Sequence, residues 1–274
     1  MTITEQTTAL EAYQGCARCP DDLESFWRRC LAPTAKMAEC HTHPVPFQNS
    51  AAVYEDLFIP SAGGGTIHAR HIRPVGEGPF PIILMFHDLG RKIRGWHHMT
   101  RFTALGYAVV ALENRLDASD QLQELPPLKL EQSFKDAFTV ATAARALPYT
   151  DAAHLATWGE GFGGALALVT AALLPGEVRC AALNPMPADF RRRNGVSDEK
   201  LLSALDYMDP VNFAPFLRGS MLMGTGLMDK VAPPEGQYAI YNRAVCPKRH
   251  LVYPKYEHER INFFENELIK FLHL

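Results

Sequence analysis

The stretch Thr157-Trp158-Gly159-Glu160-Gly161-Phe162-Gly163-Gly164 constrains this chain more than any other. An apolar run ending at Trp158 leads into it, so the glycines sit where a strand turns sharply into a helix. In the pattern G-x-S-x-G such a turn is a nucleophile elbow, bent so that the central side chain is exposed at the top of a sheet. Here the central residue is Gly161. An elbow holds its central residue in a sparsely populated backbone region, which costs a residue with a side chain on the order of 1 to 3 kcal/mol. Glycine avoids that cost, so the turn is expected to form at least as well without the serine.

The rest of the chain suits such a turn. Short apolar runs at Ile82 to Phe86, Ala108 to Leu112, His154 to Trp158, Arg179 to Leu183, Ser220 to Met223 and His250 to Tyr253 alternate with helical segments. That alternation is the pattern of a parallel sheet built from β-α-β units. Leu130, Phe134, Phe138 and Ala141 fall at helical spacing, as do Phe263, Leu268 and Phe271, and both sets are expected to pack on the sheet. Val53 to Ile59 and Ile67 to Arg73, joined through Gly63-Gly64-Gly65, predict a hairpin at the sheet edge. Pro20-Asp21-Asp22-Leu23-Glu24-Ser25-Phe26-Trp27 reads as a capped helix start with acidic residues in its first turn. At 274 residues and 47% hydrophobic the chain can bury one large core. Residues 1–50 are therefore read as an N-terminal helical extension and residues 51–274 as one α/β domain, with no internal repeats.

Charge and composition narrow the partners. A net charge of -3 without a long basic run gives no electrostatic reason to expect nucleic acid or an anionic membrane, and points to a small molecule or saccharide. Met1 to Gln14 lacks a basic region followed by an apolar one, and no apolar stretch reaches the roughly 18 residues that span a bilayer, so a cytoplasmic setting is expected. Six cysteines do not resemble a disulfide framework, and Cys180 reads as a buried hydrophobe. Cys16-x-x-Cys19 followed by Cys40-His41-x-His43 offers enough thiol and imidazole groups for zinc. A second C-x-x-C is lacking and a helix around Phe26-Trp27 intervenes, so no metal is assigned.

An elbow in a parallel sheet predicts its partners by order: nucleophile, then acid, then histidine, each on a loop at a strand's carboxyl end. The acid is read as Asp229, which follows the strand at Ser220 to Met223, and the base as His258, which follows the strand ending at Tyr253. Asp229 would hold one ring nitrogen of His258, fixing its tautomer, while the other faces the nucleophile position. Two backbone N–H groups should form an oxyanion hole: that of Phe162, at a helix N-terminus, and that of Leu89 in the loop His87-Asp88-Leu89-Gly90.

These segments resemble carbohydrate esterase family 7, the acetylxylan esterases and cephalosporin-C deacetylases. The resemblance runs from about residue 20 to the end. It is carried by Pro20-Asp21-Asp22-Leu23 through Trp27, by His87-Asp88-Leu89 where the family has His-Gly-Tyr, and by Ala188-Asp189-Phe190-Arg191-Arg192. Gly226-Leu227-Met228-Asp229, Pro233-Pro234, Ala239 with Tyr241-Asn242, and Tyr253-Pro254 with His258-Glu259 continue it. The resemblance implies an α/β-hydrolase fold, a mostly parallel central sheet with helices on both faces and an N-terminal helical arm. It implies deacetylation of acyl esters on sugars or cephalosporins, no cofactor, and a homo-oligomer. It also places Arg115, His87 and Asp88 among the substrate-binding residues. Three departures gather at the reaction centre: Gly161-Phe162 replaces Ser-Gln, Arg115-Leu116-Asp117 replaces Arg-Gly-Gln, and Leu89 replaces tyrosine.

Without a hydroxyl there is no acyl-enzyme, and loss of a triad member costs several orders of magnitude in rate, so little or no ester hydrolysis is expected. Glu160 is not a substitute, because a side chain beside the elbow points away from the catalytic side. Three readings stay open. The first is a naturally inactivated esterase-like protein that binds a ligand or a partner. The second is a deacetylase carrying an engineered change at Gly161, and the third is different water-activating chemistry by Asp229 and His258 with Asp88 as an accessory acid. The loop from Asn114 to Leu128 and the group Trp96, His97 and His98 are placed near the site's rim, without a ligand assigned to them.

Overall fold

In a computed structural model, which describes residues 3–34, 40–46, 49–116, 126–192 and 197–273, the chain forms an α/β-hydrolase fold. Two helices, α1 (Ile3–Glu11) and α2 (Leu23–Leu31), open it. The strands β1 (His41–Pro44), β2 (Ala52–Pro60), β3 (Thr66–Pro74) and β4 (Phe80–Phe86) follow, then α3 (Trp96–Thr103) and β5 (Ala108–Leu112). Next come α4 (Pro127–Ala146), β6 (Thr150–Glu160), α5 (Phe162–Leu173) and β7 (Arg179–Leu183). The last elements are α6 (Glu199–Asp206), α7 (Pro210–Phe213), β8 (Met221–Gly226), α8 (Pro234–Arg243), β9 (Lys248–Tyr253) and α9 (Asn262–His273). Among the described residues the strands make one sheet in the order β1-β2-β3-β5-β4-β6-β7-β8-β9.

The six strands from β5 to β9 run parallel, and β1 to β3 join antiparallel at one side. A parallel strand buried on both faces has no polar face, and β4 and β5 are accordingly continuous apolar runs. Alternation still sorts their side chains. Ile82, Leu84 and Phe86 enter the core beneath α2, α4 and α5, while Ile83 and Met85 enter the opposite core beneath α3 and α9. α5 is buried along almost its whole length, as an evenly apolar helix must be.

Three expectations change in detail. The hairpin of β2 and β3 forms as read, but β1 pairs outside β2 and takes the edge. The segment read as a helical extension therefore contributes a strand to the sheet as well as helices. In α9 Leu268 is buried and Phe271 packs partly buried on the core as expected, whereas Phe263 is 64% exposed and its neighbour Phe264 takes the core position.

The N-terminal arm is fastened by charge and aromatic packing. Asp189 accepts hydrogen bonds from the backbone N–H groups of Cys16 and Ala17 and from the Tyr13 hydroxyl. Trp27 is fully buried against Phe134 and Phe213, and its indole N–H donates to the Tyr207 carbonyl at 2.9 Å. Replacing Trp27 with alanine should cost about 3 to 5 kcal/mol of unfolding free energy, measured by urea denaturation, and a loss below about 1 kcal/mol would contradict this packing.

Candidate active site

Parallel strands bring their carboxyl ends to one side of the sheet, and four of those ends meet here. β4 ends at Phe86 and delivers His87, Asp88 and Leu89; β6 ends at Glu160 and turns through Gly161 into α5. β8 leads to Asp229 and β9 to His258. Gly161 has φ 54° and ψ -122°, a left-handed conformation that favours glycine. The turn is tight because α5 comes very close to β4: a Cβ added at Gly163 would lie 2.2 Å from the Phe86 carbonyl oxygen.

At the centre a single carboxylate occupies the space above the elbow. Asp88 Oδ1 accepts the backbone N–H of Phe162 at 2.9 Å and that of Leu89 at 2.8 Å. These are the two donors expected to form an oxyanion hole, and they converge on one oxygen. A Cβ added at Gly161 would lie 1.9 Å from that oxygen, so the side chain of Asp88 fills the volume a residue larger than glycine would need. Asp88 Oδ2 lies 2.9 Å from His258 Nε2, and His258 Nδ1 lies 2.7 Å from Asp229 Oδ2. Asp229 Oδ1 accepts the N–H groups of Val231 and Ala232. The result is a row of carboxylate, imidazole and carboxylate in which Asp88 and Asp229 are buried, at 4% and 3% exposure, and His258 is half-buried.

Neighbouring bonds hold the row in place. Asn184 Oδ1 accepts the Gly226 N–H at 2.8 Å and its amide donates to the Glu257 carbonyl, while Met228 N donates to the Tyr256 carbonyl. The acid loop and the histidine loop are thereby tied together. Asn184 belongs to no motif that the sequence shows. Its positive φ of 46° at the end of β7 is a structural signal without a sequence counterpart.

A model of the acetyl xylan esterase (AXE1) family matches residues 1–126, 127–200 and 193–274. The chain belongs to that family. It is 31% identical over 126 residues to acetyl esterase Axe7A of Xylanibacter ruminicola, covering 41% of the chain and 29% of that protein. It is 30% identical over 178 residues to the quorum-quenching protein AidA of Acinetobacter baumannii, covering 62% of the chain and 55% of that protein. The matches thus span less than two thirds of either relative's length. Among solved structures, acetyl xylan esterase 1 from Thermoanaerobacterium sp. JW/SL YS485 superposes with a TM-score of 0.85 at 25% identity, over 100% of this chain and 98% of the other. The acetyl xylan esterase from Paenibacillus sp. R4 gives 0.87 at 21% identity over 99% of both chains, a likeness of fold.

Within this family frame the remaining expected residues divide. Asp229, His258, Phe162, Leu89 and Asp88 are brought together. Arg115, expected at the substrate, instead pairs with Asp136 and donates to the Gly64 carbonyl, so its guanidinium braces α4 against the β2–β3 turn. His87, also expected at the substrate, spends both ring nitrogens on backbone: Nδ1 on the Asp88 carbonyl and Nε2 as acceptor from Asn114 N–H. It shapes the loop. Glu160 turns away from the centre into a buried cluster with Arg94, which also pairs with Glu265. Trp96 packs edge-on to Tyr54 with Arg70 over its ring. Asp117 and the middle of the loop from Asn114 to Leu128 lie outside the described residues. Cys16 lies near the Tyr13 hydroxyl and His43 packs on Phe58, so the candidate zinc cluster is drawn to different neighbours. No group of three or more metal-ligating side chains gathers among the described residues.

Burial by itself would lower the basicity of His258, but hydrogen bonds to Asp229 and Asp88, together with their charges, push its pKa up to about 9. Because this lies above the ordinary value of 6.5, the imidazolium adds stability that is fully present below about 6.5 and is lost as pH rises through about 9. An NMR titration of His258 should therefore show a midpoint well above the ordinary value, and Asp88→Asn should move it down. A wild-type midpoint at or below the ordinary value would refute this charge arrangement.

Proposed function

We propose that this acetyl xylan esterase family protein has little or no esterase activity by way of an acyl-serine, because its nucleophile position is empty and its oxyanion hole is already filled. The observation that carries this reading is Asp88 Oδ1 seated on the Phe162 and Leu89 N–H groups beside Gly161. A substrate carbonyl oxygen would need the same two donors, and it would meet a carboxylate there instead. In this reading Asp229 orients His258, and His258 is paired to Asp88 in place of a serine hydroxyl.

The fit between Asp88 and Gly161 supports a natural origin for the glycine over an engineered one. The carboxylate needs the space that a side chain at 161 would take, so the two residues make sense as a pair. The same reading keeps an acetylated saccharide or short acyl ester as the ligand class, a cytoplasmic setting and a homo-oligomer, and it treats residues 1–50 as an extension on a 51–274 body. Among the described residues no helix is long and apolar enough to cross a membrane.

Ester hydrolysis tests the central claim. Wild type should hydrolyse p-nitrophenyl acetate no faster than His258→Ala, and Gly161→Ser should gain less than the double variant Asp88→Gly/Gly161→Ser. The double variant supplies a hydroxyl and empties the hole together, and should exceed wild type by on the order of 100-fold or more. Wild-type turnover matching that of the double variant would sink the proposal.

A further inference from the structure

The oxyanion hole of this protein holds an oxygen that belongs to the protein, which limits the chemistry it can assist. Donors at 2.8 and 2.9 Å from Asp88 Oδ1 can stabilise negative charge that develops on that oxygen and on no other. Charge develops there when Cγ of Asp88 itself becomes tetrahedral, that is, when an ester of Asp88 is attacked by water. The second oxygen, Oδ2, takes no bond from these two donors and faces His258 Nε2. A carboxylate is a competent nucleophile toward carbon, and one of its oxygens is here anchored while the other is presented to an imidazole held by Asp229.

We propose that Asp88 is a covalent nucleophile toward a strained cyclic ether, an epoxide, with His258 as its acid and then its base and Asp229 as the group that orients His258. This goes beyond the loss of acyl-serine chemistry proposed above and rests on it, since both follow from the occupied hole. Oδ2 attacks one ring carbon, the carbon–oxygen bond of the ring breaks, and the ring oxygen leaves with the electron pair and takes the Nε2 proton of His258. The product of this step is a hydroxyalkyl ester of Asp88 beside a neutral imidazole. That imidazole then removes a proton from water as the water oxygen bonds to Cγ. The oxyanion forms on Oδ1, in the hole. Collapse breaks the Cγ–Oδ2 bond and releases a diol, the alkoxide taking the proton from His258, and the second proton of the water, left on the Asp88 carboxyl, passes to Nε2 and restores both the carboxylate and the imidazolium. Water and epoxide are consumed, a diol is formed, and no oxidant or reductant is needed.

Two features favour an epoxide over an acyl ester or an alkyl halide. Acyl transfer would place an oxyanion on the substrate, where the occupied hole offers nothing. A halide leaves without needing a proton, whereas the ring oxygen of an epoxide uses the one that His258 carries at rest, its basicity being raised by the two flanking carboxylates. The ring of His258 keeps 15% exposure, so solvent reaches the base.

The test uses styrene oxide and butyl bromide as probes on the full chain, with protein in excess of probe, in water enriched in heavy oxygen. With styrene oxide, the peptide carrying Asp88 should gain one heavy oxygen after a single turnover while the diol does not. Wild-type protein quenched during the turnover should carry the styrene oxide mass on Asp88, His258→Gln should slow both the gain of that mass and its loss, and Asp88→Asn should abolish the label at that peptide. Adducts on the exposed Cys16 and Cys19 are separated from this by peptide mapping. Heavy oxygen found in the diol alone, or no label and no adduct on Asp88 in any of these proteins, would overturn the proposal, as would a faster reaction with butyl bromide than with styrene oxide. Failure of the esterase reading would show instead as p-nitrophenyl acetate turnover by the wild type, which this experiment does not measure.

Discussion

The close approach of α5 to β4 at Gly163 is the constraint on which the site depends. A helix this near the strand end leaves room for a turn of only one residue, and that residue must take a positive φ. The turn aims the first N–H of α5, that of Phe162, at the loop leaving β4. The loop reaches back with Asp88. The convergence of these two N–H groups is thus a consequence of how tightly the helix sits on the sheet, and it forms from backbone whatever side chain stands at the elbow.

The two donors sit among charged groups. Two buried carboxylates and one half-buried imidazole lie within hydrogen-bond distance, and taking such groups out of water costs several kcal/mol each unless they are well partnered. Four backbone N–H groups supply that partnership: Leu89 and Phe162 on Asp88, Val231 and Ala232 on Asp229. Between the two acids His258 balances one charge, which leaves a net negative row held by peptide dipoles. Every carboxylate oxygen of Asp88 and Asp229 has a partner within the protein. The same pairing explains why glycine at 161 matters, since any larger residue would displace the carboxylate that the two N–H groups hold.

Much of the architecture was legible because it follows from local pattern. Continuous apolar runs separated by helical spacing predicted the parallel strands, and β5 and β7 fall on the predicted residues, since full burial on both faces leaves a strand little choice of composition. The limits appear where a tertiary neighbour decides. Phe263 and Phe264 are adjacent and equally apolar, and only the entry angle of α9 sends the second into the core. β1 becomes the edge strand through pairing with β2, which its polar and imidazole-rich sequence does not announce. Arg115 kept its identity relative to the family pattern, yet its charge is taken by Asp136 on α4, a partner 21 residues away.

The candidate site divides in the same way. Sequence by itself determined the elbow, the order of Asp229 and His258, the two backbone donors and the absence of a hydroxyl at 161, because motif spacing and strand ends follow from the chain's linear order. It did not determine where the Asp88 carboxylate goes. That residue reads as an ordinary loop acid until the sheet brings Phe162 from β6's turn, His258 from beyond β9 and Gly161's empty volume to the same few ångströms. Only the tertiary structure decided that the missing side chain at 161 is replaced in space by one from another strand, since a volume vacated by one element can be filled only by an element folded against it.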